Sequence, residues 1–197
     1  MGRRSDHSRE ELRALIVAEG HRQMVEVGFA KFSAREVAKA IGYSIGTIYN
    51  VFGSYDQLIL AINGETLDRW LADLEAHLEG REQDRLRAAI DAYFDFALGQ
   101  RNAWTALYDF RLPENEIMPE DYRIKVTAIT EVVVREIRSE LPPKHVAQAP
   151  ALARSLLATV HGHCYFALNG TFALLGEQNP LAAALDRVDD ALARFRS

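Results

Sequence analysis

At 197 residues, 48% of them apolar, the chain is about one and a half times a typical domain and has enough apolar content for a packed core, which excludes a disordered class. No apolar run approaches the roughly 20 residues of a membrane helix, and the polar start Met1-Gly-Arg-Arg-Ser-Asp-His7 reads as no signal peptide. A net charge of −5 speaks against nucleic acid until its distribution is read: eight of the 23 Lys and Arg and seven of the 28 Asp and Glu fall in residues 1–60, so that end carries +1 and the remainder −6. The one cysteine, Cys164, excludes an intramolecular disulfide and suits a reducing cytoplasm.

Helical punctuation runs the length of the chain, and no strand-like alternation of useful length interrupts it. The first helix starts at Ser8, with Glu11 three positions on as in a capping box, and ends at Gly28. Ser33 with Glu36 opens a second helix whose apolar side is Val37, Ala38 and Ile41, and Gly42 stops it. Ser44 caps a third, burying Ile45, Ile48 and Phe52, and Gly53 ends it. Ser54 with Gln57 is another capping box, opening a fourth helix that runs to about Leu78. Helices follow over about 83–98 and 102–110. A loop at Leu112–Pro119 leads into a seventh helix, stopped by Pro142-Pro143. An eighth, about Pro150 to Leu175, is apolar on most sides, and Asn179-Pro180 opens a ninth. The fold class is therefore all-α, about nine helices: an N-terminal three-helix helix-turn-helix domain over 1–54, then a C-terminal helical bundle over 55–197.

Two short helices joined by a tight Gly-containing turn form the helix-turn-helix pattern, in which the second helix enters the DNA major groove. On that helix Gly46, Thr47, Tyr49 and Asn50 point away from the apolar side and are small or hydrogen-bonding, a combination that a purely structural helix does not need. Thr47 and Tyr49 suit backbone phosphates and Asn50 a base edge. Arg3 and Arg4 read either as an arm reaching a neighbouring groove or as an idle terminus.

Residues 8–62 resemble the DNA-binding domain of the TetR/AcrR family of regulators. The match runs through Phe29, Ser33, Val37-Ala38, Ile41-Gly42, Ser44, Gly46-Thr47-Ile48-Tyr49, Phe52, Ser54 and Leu58. The resemblance implies a double-stranded DNA operator as partner, a small-molecule effector, and a homodimer built by the last two helices. The DNA-contacting set it suggests is Ser33, Arg35, Ser44, Gly46, Thr47, Tyr49, Asn50 and Tyr55. Two positions depart from the family: Val51 stands where a His is usual, and Tyr55 where a phosphate-gripping Lys is usual.

In the ninth helix Leu181, Leu185, Val188, Leu192 and Phe195 recur at steps of 4, 3, 4 and 3, the narrow seam of a helix packed on a helix. With Leu156 and Val160 of the eighth helix, Leu181, Leu185, Val188 and Leu192 are the expected two-fold interface. Ala158 and Gly162, four apart, allow close helix approach. From the abundant aromatic residues, Trp70, Trp104, Tyr108 and Tyr165, with Asn169, are the expected walls of an effector pocket.

His161 and His163 are two apart and project on different faces, and no carboxylate or third ligand lies near them or Cys164, so a core or interface role outweighs a metal or nucleophile site. No phosphate loop, paired catalytic carboxylates or nucleophile motif is present. The reading is a cytoplasmic, non-enzymatic transcriptional regulator without cofactor or metal, a repressor released from a palindromic operator by its effector. The alternative is an all-α small-molecule- or metal-binding protein without DNA-binding activity, supported by Val51, Tyr55 and the net charge.

Overall fold

The computed structural model describes residues 7–114 and 116–196, and among these the regular structure is all helical. Ten α-helices follow one another: α1 (Arg9–Val27), α2 (Ala34–Ala40), α3 (Ile45–Phe52), α4 (Tyr55–Leu78), α5 (Arg85–Gly99), α6 (Arg101–Asp109), α7 (Glu120–Glu140), α8 (Ala149–Leu168), α9 (Thr171–Leu175) and α10 (Pro180–Ala193), with 3₁₀ turns at Phe29–Lys31 and Pro143–Gln148. Arg3 and Arg4 lie outside the described residues. No helix among the described residues is long and apolar enough to cross a membrane.

The caps set the boundaries. Ser8 and Glu11 form a complete capping box: the Glu11 amide donates to Ser8 Oγ at 3.2 Å and the Ser8 amide donates to the Glu11 carboxylate at 2.7 Å. Ser33 and Ser54 supply the hydroxyl half alone, accepting from the amides of Glu36 at 3.4 Å and Gln57 at 3.1 Å. The Gln57 side chain donates instead to Glu116, at 3.4 Å.

The expected eighth helix is two. Backbone φ at Gly170 is +80°, a left-handed value that ends α8, and Asn169 Oδ1 accepts from the Thr171 amide at 3.0 Å and the Thr171 hydroxyl at 2.6 Å to start α9.

Packing groups the chain into two compact units, Met1–Arg69 with Gln100–Lys125, and Trp70–Gly99 with Val126–Ser197. Compactness thus places α6 with the N-terminal helices, whereas the 1–54/55–197 division places it with the rest. The first unit has a core of Ile16, Met24, Val37, Ile48, Leu58 and Ile62, joined by Ala106 and Phe110. Gly20 in the middle of α1 serves that core: a Cβ there would lie 2.5 Å from Ile62 Cδ1, so the glycine lets α1 and α4 close together. Two asparagines hold α6 in place. Asn63 on α4 donates to the Ala106 carbonyl at 3.3 Å, and Asn102 donates to the Val25 and Glu26 carbonyls at 2.9 and 3.3 Å, satisfying the open C-terminal end of α1.

In the second unit α8 packs on α10 and both pack on α5. Its one fully enclosed carboxylate, among the described residues, is Glu136 of α7, 2% exposed. Arg85 grips it through two hydrogen bonds of 2.8 and 2.9 Å, and Arg135 adds a third of 2.8 Å. Arg85 also donates to the Leu78 carbonyl at 2.8 Å, so it ties the last residue of α4 to α7 within this unit.

Candidate nucleic-acid interface

The first unit builds an outward-facing short helix from strictly local signals. After α2 the chain turns at Gly42, φ +77°, where the Tyr43 amide donates back to the Ala38 carbonyl at 2.9 Å. Ser44 then caps α3, accepting from the Thr47 amide at 3.1 Å, and its hydroxyl also bonds Thr47 Oγ1 at 3.0 Å. Ile48 and Phe52 bury the inner side of α3, and the guanidinium of Arg13 from α1 lies over the Phe52 ring at 4.8 Å. What remains outward is Gly46, Tyr49 and Asn50, with Tyr49 40% exposed. A Cβ on Gly46 would meet nothing closer than Ser44 Oγ at 3.5 Å, so the surface is smooth there and open to a close-approaching partner.

The other expected contacts divide. Arg35 is exposed beside the α2 start, and Ser33 is half-buried with its hydroxyl spent on the cap. Thr47 is likewise half-buried and engaged by Ser44. Tyr55 is half-buried and packs on Phe32 at a centroid distance of 6.3 Å; burial, then the neighbouring Tyr49 and Asp56, raises its phenol above the ordinary value. Val51 is also half-buried and packs on the core. Both departures from the family pattern thus have a packing role in this chain.

One element of this surface was missed in the sequence. His7 Nδ1 hydrogen-bonds the Tyr43 hydroxyl at 3.0 Å and the two rings sit edge to face at 6.3 Å, tying the start of α1 to the turn of the motif. Their separation by 36 positions leaves no local signal; an aromatic residue in the turn was the only hint.

The second unit shows how the interface candidates pack within one chain. Of the six interface candidates, Leu156, Val160, Leu185, Val188 and Leu192 are buried inside a single chain, and Leu181 is half-buried. The seam of α10 is already filled by α8 and α5, so these side chains are not a free surface. Along α8, Ala158 is exposed, Phe166 is 41% exposed and Tyr165 beside it is exposed, while Gly162 between them is half-buried and a Cβ on it would meet nothing within 4 Å. Leu174 and Leu175 of α9 are exposed as well.

The effector-pocket candidates fall in different units. Trp104 and Tyr108 pair in the first, with ring centroids 4.8 Å apart. Trp70 lies in the second against Tyr93 and Phe96; Tyr165 is on the surface of α8, and Asn169 is occupied by the α9 turn. A cavity of about 40 Å³ does lie inside the second unit, but other residues line it, Tyr93 and Leu156 among them.

His161 Nδ1 bonds the Tyr93 hydroxyl at 2.9 Å, and His163 Nδ1 pairs with the Thr159 carbonyl at 2.8 Å, so the two rings are engaged on separate faces. Burial lowers the His161 pKa and pushes the Cys164 thiol up to about 12, which leaves the thiol protonated and unreactive at neutral pH. Among the described residues no three His, Cys, Asp or Glu side chains gather into a metal site.

Residues 16–62 match the family model for bacterial regulatory proteins of the tetR family, and residues 86–192 match the tetracyclin repressor-like C-terminal domain. Uncharacterized HTH-type transcriptional regulators of Mycobacterium tuberculosis and Mycobacterium bovis are 30% identical over 105 residues, 52% of this chain and 54% of theirs. The chain thus spans about half the length of the curated relatives it matches. A protein of unknown function from Rhodococcus sp. RHA1 shares the fold over 100% of both chains, with a TM-score of 0.75 at 21% identity. BioQ, solved with its double-stranded DNA operator, shares it over 89% of this chain and 96% of its own, with a TM-score of 0.55 at 19% identity.

Proposed function

Because this chain belongs to the TetR family of bacterial regulatory proteins, we propose that it is a cytoplasmic, sequence-specific DNA-binding transcriptional regulator: a homodimeric repressor that leaves a palindromic operator when a small effector binds. Residues 1–54 form the reading head, and residues 55–197 hold the effector site and the self-association surface. The observation that carries the reading is the outward face of α3, where Gly46, Tyr49 and Asn50 are exposed on a helix whose opposite side is locked into the core. A seven-residue α2 and an eight-residue α3 joined at Gly42 are the dimensions of a motif that seats its second helix in the major groove. The fold shared with an operator-bound structure adds support.

In this reading Tyr49, Asn50 and Arg35 are the primary DNA contacts. Ser33, Ser44 and Thr47 hold the helix starts, and Tyr55 braces α4 against Phe32. The second copy docks along Ala158, Gly162 and Phe166, where small residues admit a helix backbone closely and the exposed Phe166 supplies apolar area.

The test is binding of the upstream DNA of the chain's own gene, followed by fluorescence anisotropy. Tyr49→Ala is expected to weaken binding at least tenfold without changing helicity. If Tyr49 touches a phosphate through its neutral hydroxyl alone, the salt dependence should stay close to that of the unsubstituted protein, whereas Arg35→Ala should reduce the slope by about one. Unchanged affinity in a Tyr49→Ala, Asn50→Ala double variant would refute the reading head.

A further inference from the structure

The cavity of about 40 Å³ in the second unit is lined by ten residues, nine of which carry no polar side-chain atom, and none of which is charged. Its walls come from α5 (Leu86, Ile90), α7 (Val133, Ile137) and α8 (Leu156, Val160), and Val188 of α10 closes it. The one polar group of the lining, the Tyr93 hydroxyl, is committed to His161 at 2.9 Å. We propose that this cavity is the effector site, and that it takes an uncharged hydrocarbon-like ligand and rejects charged metabolites. The inference rests on the reading of residues 55–197 as the effector-binding part of a regulator.

The chemistry follows from the wall. An ionised group entering it would lose its hydration and find no counter-charge and no free hydrogen-bond partner in the lining, a penalty that a hydrocarbon does not incur. Apolar walls favour hydrocarbon over water, and an enclosed cavity of roughly 150 Å³ lined by Leu, Ile and Phe binds benzene. At about 40 Å³ the present cavity admits only part of such a ring, so a ring-sized ligand has to widen it. Val133 and Leu157 are the half-buried members of the lining, and they mark the side that can give way.

Widening has a defined outlet inside the same unit. Leu86 and Ile137 are the chain neighbours of Arg85 and Glu136, the pair joined by hydrogen bonds of 2.8 and 2.9 Å. Arg85 in turn holds the Leu78 carbonyl at the end of α4. A ligand that parts α5 from α7 therefore strains the clamp that fixes the last turn of α4, the helix whose first turn follows the recognition helix in the chain.

The experiment is methyl NMR of the full chain titrated with toluene, and with benzoate and benzylammonium as charged probes of similar shape. Toluene is expected to shift the methyl resonances of Leu86, Ile90, Leu156 and Val160, with at least tenfold higher affinity than either charged probe. Leu157→Ala should bind it more tightly and Ala89→Leu should lose it. Comparable binding of a charged probe at these methyls would overturn the proposal, as would shifts confined to other methyls, or failure of toluene to bind both the unsubstituted chain and Leu157→Ala. Operator affinity measured in parallel separates the two readings. Toluene bound in the cavity with operator affinity unchanged removes effector control and leaves the ligand class standing. Tyr49-dependent operator binding without any toluene site overturns the ligand proposal and leaves the DNA-binding reading standing.

Discussion

Two substitutions ten residues apart on α8, Leu156→Glu and Phe166→Glu, should have opposite consequences. Leu156 is 5% exposed and faces the interior of the second unit, whereas Phe166 is 41% exposed. Replacing Leu156 forfeits the burial of an aliphatic side chain, about 1.5–3 kcal/mol. It also places a carboxylate against a lining without a cation, at a cost of several kcal/mol more. The total reaches the roughly 5–15 kcal/mol that holds a typical domain together, so the second unit should unfold. Leu156→Ala is the graded version: a loss of about 2–5 kcal/mol, which for a chain of this size lowers the melting temperature by roughly 2–4 °C per kcal/mol. Phe166→Glu leaves that interior untouched and should keep helicity and melting temperature close to wild type, but convert the proposed dimer to a monomer with weakened binding to the proposed palindromic operator. Circular dichroism with analytical ultracentrifugation reads both. A folded, monomeric Leu156→Glu variant would refute the reasoning, since it would show that Leu156 packs against a second chain after all.

Two further outcomes follow from the polar contacts. Burial works to raise the Glu136 carboxyl, but the hydrogen bonds from Arg85 and Arg135 outweigh it and hold its pKa below the usual range. A depressed folded pKa means that the stabilisation is present above the ordinary carboxylate value, near about 4.3, and is lost as pH falls through the folded one. Glu136→Gln should therefore melt below wild type at neutral pH, with the gap closing in acid; a gap independent of pH would mean the ion pair contributes nothing. Asn102→Ala removes the donor to the Val25 and Glu26 carbonyls and should cost about 1 kcal/mol. Faster amide exchange confined to the last turn of α1 and to α6 would check it, and an unchanged urea midpoint would count against it.

What was legible in the sequence was local. Ser8, Ser44 and Asn179 each announce a helix start by a side chain that reaches only three residues ahead, and all three accept the expected amide. The outward face of α3 is legible for the same reason, because helical periodicity over eight residues decides which side is buried. The break between α8 and α9 is also written locally, in Asn169-Gly170, as is the end of α9 at Gly176. The apolar run Thr171-Phe-Ala-Leu-Leu175 hid it, because those residues continue a helix by propensity, and their exposure depends on neighbours that the run does not specify.

What the sequence leaves open is which partner a surface meets. The 4-3-4-3 spacing of Leu181 to Phe195 correctly announces that α10 packs along another helix, but the spacing is the same whether that helix belongs to the same chain or to a second one. Here α8 and α5 occupy the seam, and Leu156 and Val160 are buried within the chain, so the proposed second copy is assigned to the side of α8 bearing Ala158, Gly162 and Phe166. The pocket candidates carry the same ambiguity. Aromatic side chains 34 positions apart, Trp70 and Trp104, carry no mark of the unit each will join, whereas the cavity lies among aliphatic residues that any buried helix would have. Glu136 shows the same limit from the polar side. Nothing within a few residues distinguishes it from the solvated acids of α7; its role depends on Arg85, 51 positions earlier, which reaches it and the end of α4 together. Sequence periodicity thus identifies the faces of these helices, and only packing decides which face remains for DNA, for ligand and for a second copy.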